Sequence, residues 1–433
     1  MTRRERGLNE LYQDDPERAD ALVMGRRGML QRSSLAALGV ALGAAIPFGR
    51  HLPTGMLPVA LAQGQGPKFL DFPGKDKGLV LLGDRPLVAE TPEHLLDDDT
   101  TPVDKFFIRN NGQIPTAVTD PDGWTIRIDG EVNTPLTLKL GEIKKRFKPR
   151  TYRMVLECGG NGRSFFTPPG RGNQWTNGGA GCAQWTGVPL RDVLTAAGLK
   201  PTAKYTGSAG GDAHLSGDTT KQAISRGNPI AKSMDEHTMI VWAMNGQPLT
   251  NIHGAPVRLV VPGWPGSLST KWLNHVLVRS TPHDGQGMGG TSYRVPVTPI
   301  VPGSNNDGKT FRDMESMPVR GIITNPANGA KLPAGTRTLP LRGAAWDGEV
   351  GVGRVDVSVD FGQTWQQARL GMAGNKYDWV RWTHSVRLPS DGYYELWVRA
   401  TDKKGVAQPI VAANWNPQGY GANPINRIAV LVG

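Results

Sequence analysis

Glycine and proline constrain this chain more than any other feature of its sequence. Gly 56 and Pro 34 together make up about a fifth of the 433 residues. Both residues disfavour the interior of a helix, so this content favours short strands joined by loops. A chain of this length is typical of two domains. Hydrophobic residues at 38% and charged residues at 20% fit a globular protein with buried cores.

The first 62 residues have the pattern of an export signal. Gly25–Gln31 (GRRGMLQ) is typical of a twin-arginine signal. The apolar stretch Leu35–Phe48 is too short, and too rich in glycine and alanine, to span a bilayer stably. Ala60–Ala62 offers a small-x-small cleavage site. We therefore predict a signal peptide over 1–62 and a periplasmic protein with no stable membrane span; the alternative is a buried N-terminal helix.

Charge and cysteine content exclude several functional classes. The formal net charge is +11, but the basic residues are scattered, so we expect no nucleic-acid binding. A basic surface suits anionic substrates or an acidic protein partner, but a plain solubilising surface explains the charge most simply. The two cysteines form no CxxCH motif, so this chain carries no c-type haem of its own. They also provide no four-ligand spacing for a structural zinc.

An extended arm rich in proline, glycine and aspartate is predicted over 63–100, and a mixed region follows over 101–315. In that region strand-like runs such as Thr151–Leu156 alternate with helical pieces such as Pro189–Ala197. Long glycine-rich loops separate them, notably 159–181 and 206–219. Loops of that length in a compact domain usually build a functional site.

The pattern changes after a Gly, Pro, Asn and Asp-rich connector over 281–315. Residues 316–433 contain short strands with alternating polarity, of which Arg354–Asp360 alternates strictly. Such strands, separated by turns, predict an immunoglobulin-like β-sandwich. The fold class is therefore α+β, with a catalytic domain over 101–315 followed by a sandwich over 316–433.

Cys158 is the residue with the most distinctive surroundings. A strand-like stretch leads into Glu157–Arg163 (ECGGNGR), which places a thiol in a glycine-rich loop five residues before a cation. A thiolate is a soft metal ligand, and a nearby arginine favours the deprotonated form. Glycines let the backbone approach whatever the sulfur binds. Taken alone, the loop also allows a small buried hydrophobic residue at Cys158.

Several motifs, in order along the chain, resemble the sulfite oxidase family of molybdenum enzymes. The resemblance runs from about Leu87 to Gly433. The F-x-R-N segment lies at Lys105–Pro115 and the cysteine loop at Glu157–Arg163. Three stretches resemble the pterin site, at Met244–Leu249, His253–Arg258 and Lys271–Leu273. Two resemble the C-terminal region of the family, at Gly343–Trp365 and Ala413–Gly419. The resemblance implies a molybdenum–molybdopterin cofactor with the metal bound by Cys158.

By position, the resemblance also assigns roles to other residues. The residues that would bind the pterin and its phosphate are Asn110, Asp212, His253, Arg258 and Lys271. Those in the substrate pocket would be Arg109, Arg163 and Trp175, with the arginines binding an oxyanion and the tryptophan forming a wall. The residue types suit these roles, because cations donate hydrogen bonds to phosphate and a carboxylate accepts them from pterin N–H groups. Each residue also has an ordinary alternative, such as a turn cap, a strand end, a solvent-exposed lysine or core packing for the tryptophan.

Three positions depart from sulfite oxidase itself. The family histidine after F-x-R-N is Asn111, the loop Asp218–Ile224 has no tyrosine, and the C-terminal segment that supplies a further arginine has Gln418. Together these changes weaken a pocket for a small free dianion. The sequence is more similar to the molybdenum subunit of the sulfane dehydrogenase branch, from the Sox sulfur-oxidising system.

That branch implies oxygen-atom transfer to a sulfane sulfur held on a carrier protein, with electrons passing to a c-type cytochrome subunit. The alternative enzyme is a periplasmic sulfite dehydrogenase that uses cytochrome c. The non-enzymatic alternative is an inactive assembly subunit. A sulfoxide reductase is disfavoured because such proteins resemble the first domain only. The family also implies a homodimer formed through the C-terminal domain.

Overall fold

The computed structural model describes residues 67–304 and 307–433. The predicted signal peptide, including Arg26 and Arg27, lies outside the described residues. Residues 67–433 form one compact unit, and the domain boundary at 315/316 stays a prediction. Among the described residues, no helix has the length and apolar character needed to cross a membrane.

The N-terminal part of the described chain alternates strands with short helices. Its strands are β1 (Val80–Asp84), β2 (Leu87–Glu90), β3 (Ile108–Arg109), β4 (Thr125–Gly130), β5 (Leu136–Lys139), β6 (Arg150–Glu157), β7 (Ala180–Pro189), β8 (Tyr205–Gly210), β9 (Ser225–Pro229), β10 (Met239–Met244), β11 (Gln247–Pro248), β12 (Arg258–Val260) and β13 (Leu273–Arg279). The α-helices are α1 (Leu140–Arg146), α2 (Leu190–Ala197) and α3 (Ile230–Ser233). The segment predicted as an extended arm thus contains β1 and β2, which pair antiparallel.

Two five-stranded sheets carry this part of the molecule. One has the order β11-β10-β7-β6, with β12 also paired to β10, and the other has the order β5-β4-β13-β8-β9. Helix α2 buries residues at positions i, i+3, i+4 and i+7 against the core, and Gly198 ends it with a positive φ. The predicted helix at Pro189–Ala197 is therefore confirmed, starting one residue later. Residues 206–210, predicted as loop, instead lie in the paired strand β8.

In the C-terminal part, the regular elements of the described residues are all strands. They are β14 (Arg294–Pro296), β15 (Phe311–Asp313), β16 (Arg320–Asn325), β17 (Ala330–Leu332), β18 (Thr338–Trp346), β19 (Val352–Ser358), β20 (Gln366–Gln367), β21 (Arg369–Leu370), β22 (Val380–Arg387), β23 (Gly392–Asp402) and β24 (Asn426–Val432). The first two form a hairpin inside the predicted connector.

The remaining strands form two sheets that share one core. Their orders are β16-β18-β22-β21 and β17-β24-β23-β19-β20. Ile323 and Trp382 of the first sheet pack in the same buried cluster as Val355 and Leu396 of the second. Burial of one face of each sheet explains the alternating sequence pattern. A two-sheet arrangement is thus present, whereas its immunoglobulin-like topology stays a prediction.

Candidate functional site

Strand β6 carries Cys158 to the wall of a cavity. The strand pairs with β7 along its whole length, and Cys158 follows its last residue. The backbone N–H of Cys158 donates to the Gly179 carbonyl (2.8 Å), and that of Asn161 donates to the Cys158 carbonyl (2.9 Å). Cys158 is 7% exposed and is one of the residues that line a cavity.

Cys182 has a different environment. It lies on β7 opposite Val155, fully buried, and its thiol donates to Asp378 Oδ1 (3.4 Å). Burial raises the pKa of this thiol well above its ordinary value, and the neighbouring Asp378 carboxylate adds to the effect. A thiol held neutral in this way is a poor metal ligand.

The cavity brings together seven of the nine predicted site residues. They are Cys158, Arg109, Asn110, Asp212, His253, Arg258 and Lys271. The F-x-R-N segment, the cysteine loop and the segments around β12 and β13 therefore converge, although they are far apart in sequence. The roles of these residues toward a cofactor stay predictions.

Arg163 and Trp175, the other two predicted pocket residues, do not line this cavity. Arg163 is buried, and it donates from Nε to the Gln418 carbonyl (2.6 Å) and from Nη1 to the Asn173 carbonyl (2.8 Å). Trp175 is fully buried and packs edge-on against Phe107, which does line the cavity. Both residues therefore lie one layer behind the wall.

Lys271 and Asn110 form one polar pair of the cavity lining. Lys271 Nζ donates to Asn110 Oδ1 and to the Ile252 carbonyl, both at 2.7 Å. Burial lowers the pKa of Lys271 well below its ordinary value, and nearby cations, first Arg258, lower it further. Asp212 lies close enough to act on Lys271, yet burial still raises the pKa of this carboxyl group. Burial therefore disfavours the charged form of both groups.

Arg258 and His253 form a second pair. Arg258 is 4% exposed and donates from Nη1 to the His253 carbonyl (3.0 Å) and from Nη2 to the Ser269 carbonyl (2.9 Å). Burial lowers the pKa of Arg258 to about 9. Burial, followed by the charge of Lys75, lowers the pKa of the His253 imidazole well below its usual range.

Lys75 is a residue that sequence reasoning missed. Its Nζ donates to the Val103 carbonyl (2.5 Å) and the Phe106 carbonyl (2.6 Å), and it lies 3.1 Å from His253 Nε2. Burial lowers its pKa to about 7. A lone lysine in a segment predicted as an extended arm gives no signal of this contact.

The polar groups of the cavity fit an anionic group with several oxygen atoms. The partners of Lys271 and Arg258 are neutral amide and carbonyl oxygens. Arg109 Nη1 and Ser267 Oγ are buried at the cavity without a hydrogen-bond partner in the described protein. Buried cations and unpaired donors are costly unless a ligand compensates them. The phosphate of a molybdopterin would do so, and the Cys158 thiolate would bind the metal.

A buried ion pair fixes the residues on either side of Cys158. Glu157 Oε1 accepts from Asn161 Nδ2 (2.9 Å) and Arg320 Nε (2.8 Å), while Oε2 accepts from Trp346 Nε1 (2.8 Å). Arg320 is fully buried. Arg320 and Trp346 belong to the C-terminal strands, so those strands hold the cysteine loop in place.

Tyr293 is the second residue that sequence reasoning missed. The loop Asp218–Ile224, where the resemblance to sulfite oxidases predicts a tyrosine, contributes only Ile224 to the cavity lining. Tyr293, from the predicted connector, lines the same cavity as Cys158. The Gly- and Pro-rich composition of the connector gave no reason to expect a wall residue.

Comparisons with known proteins agree with this geometry. Residues 111–286 match the oxidoreductase molybdopterin binding domain, and residues 312–433 match the Mo-co oxidoreductase dimerisation domain. Sulfite oxidase of Gallus gallus is 32% identical over 81% of this chain and 77% of that protein. Mitochondrial sulfite oxidase of Homo sapiens is 33% identical over 84% of this chain and 68% of that protein.

A solved structure is also similar over most of the chain. The crystal structure of the sulfane dehydrogenase SoxCD from Paracoccus pantotrophus aligns with a TM-score of 0.66 and 26% identity, covering 89% of this chain and 91% of that chain. The identity and coverage of the sulfite oxidases establish the family. The chain belongs to the sulfite oxidase family of molybdenum oxidoreductases and takes a molybdenum–molybdopterin cofactor.

Proposed function

We propose that this protein oxidises sulfane sulfur held on a carrier protein and passes the electrons to a c-type cytochrome. The bound molybdenum cofactor supplies oxygen-atom transfer to sulfur and takes up two electrons per turnover. The observation that carries the proposal is a cavity in which Cys158 lies beside Arg109, a cation with an unpaired buried donor. Arg109 would bind the S–O group as it gains negative charge.

The side chains around Arg109 support a tethered substrate over a free dianion. Asn111 lines the cavity where the family has a histidine. Arg163 already donates to two backbone carbonyls, and Gln418 donates from Nε2 to Thr291 Oγ1 (3.1 Å). Arg109 would therefore bind the substrate with fewer neighbouring positive charges. A carrier-bound substrate needs less electrostatic capture, because the carrier supplies binding energy away from the reacting sulfur. The similarity to the sulfane dehydrogenase SoxCD supports sulfane sulfur as the substrate.

The remaining cavity residues would hold the cofactor in place. Arg258, His253 and Lys271 supply hydrogen-bond donors to its phosphate, while Asp212 and Asn110 accept from its N–H groups. Arg258 is buried, Lys271 is half-buried and both donate to neutral acceptors, so phosphate binding would restore the pKa of both groups toward its ordinary value.

The electron acceptor is proposed to be a separate protein. This chain has two cysteines and no CxxCH motif, so it provides neither a c-type haem site nor cysteines for an iron–sulfur cluster. The electrons therefore need an external cytochrome docked within tunnelling reach of the metal. The similarity to SoxCD supports an associated cytochrome.

Assembly and location belong to the same proposal. The match of residues 312–433 to a dimerisation domain supports a homodimer through the C-terminal part. Light scattering of the purified protein should give twice the mass of the chain, and a monomer in the absence of any partner would contradict this. We also propose twin-arginine export to the periplasm. Arg26→Lys combined with Arg27→Lys should leave precursor in the cytoplasm.

The substrate is tested by comparing sulfite with carrier-bound sulfane, using cytochrome c reduction as the readout. The carrier-bound sulfane should be oxidised faster, and Cys158→Ser should abolish the reaction while Cys182→Ser retains most of it. Fast, saturable oxidation of free sulfite at micromolar concentrations would instead establish the second candidate, a periplasmic sulfite dehydrogenase. That candidate is favoured by the 32–33% identity to sulfite oxidases.

The non-enzymatic alternative, an inactive assembly subunit, has its own test. Cys158 faces the cavity together with the residues suited to phosphate, which favours an active enzyme. Purified protein should contain about one molybdenum per chain, as measured by mass spectrometry of the metal. Protein without molybdenum, from cells that produce the cofactor, would support the inactive subunit.

A further inference from the structure

The N-terminal arm, residues 67–79 before β1, packs against two segments of the cavity wall. Its buried leucines lie in one apolar cluster with Ile108 and Ile252. Ile108 directly precedes Arg109, which lines the cavity. Ile252 directly precedes His253, which lines the same cavity. The match to the molybdopterin binding domain begins only at residue 111, so it assigns the arm no role.

Lys75 carries a donor group from this arm to His253. Its Nζ atom donates to the carbonyl groups of Val103 and Phe106 and lies 3.1 Å from His253 Nε2. The N–H of the next residue, Asp76, donates to the carbonyl of residue 104 (3.1 Å), so the arm is tied to the segment that leads into the cavity wall. Lys75 does not line the cavity itself, and it therefore contacts the imidazole from behind the wall.

The donors of Lys75 determine which ring nitrogen of His253 carries the proton. An ammonium group has three N–H donors and no acceptor. Two of them serve the carbonyl groups of Val103 and Phe106, so His253 Nε2 must accept the third. Burial, followed by the charge of Lys75, holds the pKa of the imidazole well below its usual range, so the ring is neutral. The proton of this neutral ring then lies on Nδ1.

Other contacts fix the orientation of the same ring. Phe106 packs edge-on against His253, with ring centroids 5.6 Å apart and an interplanar angle of 84°. The His253 N–H donates to the Thr250 carbonyl (3.0 Å), and the His253 carbonyl accepts from Arg258 Nη1 (3.0 Å). A histidine that binds a ligand through one ring nitrogen is commonly oriented by a partner on the other nitrogen.

We propose that Lys75 is a positioning residue for the molybdenum–molybdopterin cofactor. It holds the His253 ring with the proton on Nδ1, and this N–H group donates to the phosphate of the cofactor. The inference uses the assignment of His253 to the cofactor, but it goes beyond the proposed function because it concerns retention of the cofactor and not the compound that is oxidised.

The test is the rate at which the cofactor-containing protein releases its cofactor, measured as molybdenum per chain after incubation and gel filtration. Lys75→Met removes the three donors and should release the cofactor about ten-fold faster, at the lower end of the effect of removing a group that orients a metal-binding histidine. Lys77→Met is the matched control, because Lys77 is an exposed lysine of the same arm. It should release the cofactor at the wild-type rate.

A double-mutant cycle separates positioning of the ring from a general loosening of the arm. His253→Ala should also speed release, and Lys75→Met should add little to it, because the lysine acts through the imidazole. Fully additive effects would show that Lys75 acts without His253 and would overturn the proposal. Wild-type release from either single variant would overturn it as well.

Nitrogen NMR of the histidine rings tests the same point with no change at Lys75. The signals of His253 are identified by their loss in His253→Ala, and the wild-type ring should carry its proton on Nδ1. A proton on Nε2 would overturn the proposal, since Lys75 could not then donate to that atom. This measurement decides the question if Lys75→Met does not fold or is isolated without cofactor.

The outcomes separate this inference from the proposed function, because turnover is not among the measurements. If no sulfur compound is oxidised but Lys75→Met speeds cofactor release through His253, the proposed function fails and the role of Lys75 stands. If carrier-bound sulfane is oxidised but Lys75→Met releases the cofactor at the wild-type rate, the proposed function stands and the role of Lys75 fails.

Discussion

Two charged clusters lie near Cys158, one buried and one half-buried, and they are built differently. Behind the cysteine loop, Glu157 and Arg320 form an ion pair in which both carboxylate oxygens accept hydrogen bonds from protein donors. At the cavity, the hydrogen-bond partners of the half-buried Arg109 and Lys271 are neutral or missing, and Asp212 acts on Lys271 through its charge alone. The first cluster is complete within the chain, whereas the second needs an anion from outside.

The difference separates structural from ligand-binding charges. Removing a charge from water is unfavourable in both clusters, and a partner of opposite charge with good hydrogen-bond geometry offsets part of that energy. In the ion-paired cluster the partner is encoded in the sequence, 163 residues away. At the cavity the opposite charge would arrive with the cofactor. The following substitutions test this distinction.

The largest effect is expected at Cys158. Cys158→Ser should leave the fold intact and abolish turnover, because a serine hydroxyl is a far weaker ligand for a soft metal than a thiolate. Cys182→Ser is the matched control and should keep most activity, since the Cys182 thiol donates to Asp378 in the core. Equal loss of activity from both substitutions would contradict the assignment of Cys158.

Arg320→Met should be the most destabilising of the charge substitutions. It leaves Glu157 as a buried charge without a cation, and breaking such a pair typically lowers the free energy of unfolding by about 3–5 kcal/mol. Arg337→Met is the control, because Arg337 pairs with Asp391 at the surface and both side chains are more than 40% exposed. It should change the free energy by less than about 1 kcal/mol. Urea unfolding compares the two variants.

Glu90 is a third kind of buried acid: it accepts hydrogen bonds but forms no ion pair with another described residue. Its Oε2 accepts from the Thr176 N–H (2.8 Å), and burial raises the pKa of this carboxyl group to about 7. Because the pKa of Glu90 in the folded chain lies above the unfolded value of 4.5, proton binding to Glu90 favours the folded state. This contribution to the free energy of unfolding is complete below pH 4.5 and is lost as the pH rises through 7.

Glu90→Gln removes this titration. Between pH 4.5 and 8 the wild type should lose about 3 kcal/mol of unfolding free energy relative to the variant. Glu315→Gln, at an exposed position, serves as the control and should follow the wild-type pH profile. Parallel profiles of wild type and Glu90→Gln would show that Glu90 titrates alike in the folded and unfolded states.

The sequence predicted the parts of the site that lie in distinctive motifs. The cysteine loop and the segments His253–Arg258 and Lys271–Leu273 were identified because they resemble motifs of the sulfite oxidase family, and the structure brings them to one cavity. Strand β19 was predicted from its alternating polarity: Val355 and Val357 pack in the core shared by the two sheets, and Asp356 and Ser358 are buried as well.

The sequence did not predict contacts that depend on distant packing. Strand β8 was missed because its glycines resemble a loop, whereas a Cβ at Gly207 would lie 2.3 Å from the His283 ring. Lys75 and Tyr293 lie in segments whose composition indicates loops. Arg163 was placed in the pocket by position, but the Gln418 and Asn173 carbonyls hold it behind the wall. The neighbours of Gly207 and Lys75, and the Gln418 carbonyl bound by Arg163, are far away along the chain.

The smallest effect, and the one with the opposite sign to Arg320→Met, is expected for Lys271→Met in cofactor-free protein. Burial holds the pKa of Lys271 well below 10.5, so the unfolded chain binds this proton more tightly than the folded one. That difference destabilises the wild type at pH 6 and fades as the pH rises toward 10.5. Methionine has no such proton, so Lys271→Met is free of this destabilisation. After the loss of two hydrogen bonds is subtracted, its free energy of unfolding should still be about 1 kcal/mol higher than that of the wild type.

Inorganic phosphate should reverse the difference between Lys271→Met and the wild type, so that the wild type becomes the more stable of the two. Phosphate bound at the cavity stabilises the folded wild type by mass action, and Lys271 supplies one of its donors, so the variant should gain less. Urea unfolding at pH 6, with and without phosphate, measures both effects, and Lys309→Met at an exposed ion pair is the control. If Lys271→Met is destabilised as strongly as Arg320→Met and does not differ from the wild type in its response to phosphate, the cavity cations are structural and the distinction between the two clusters fails.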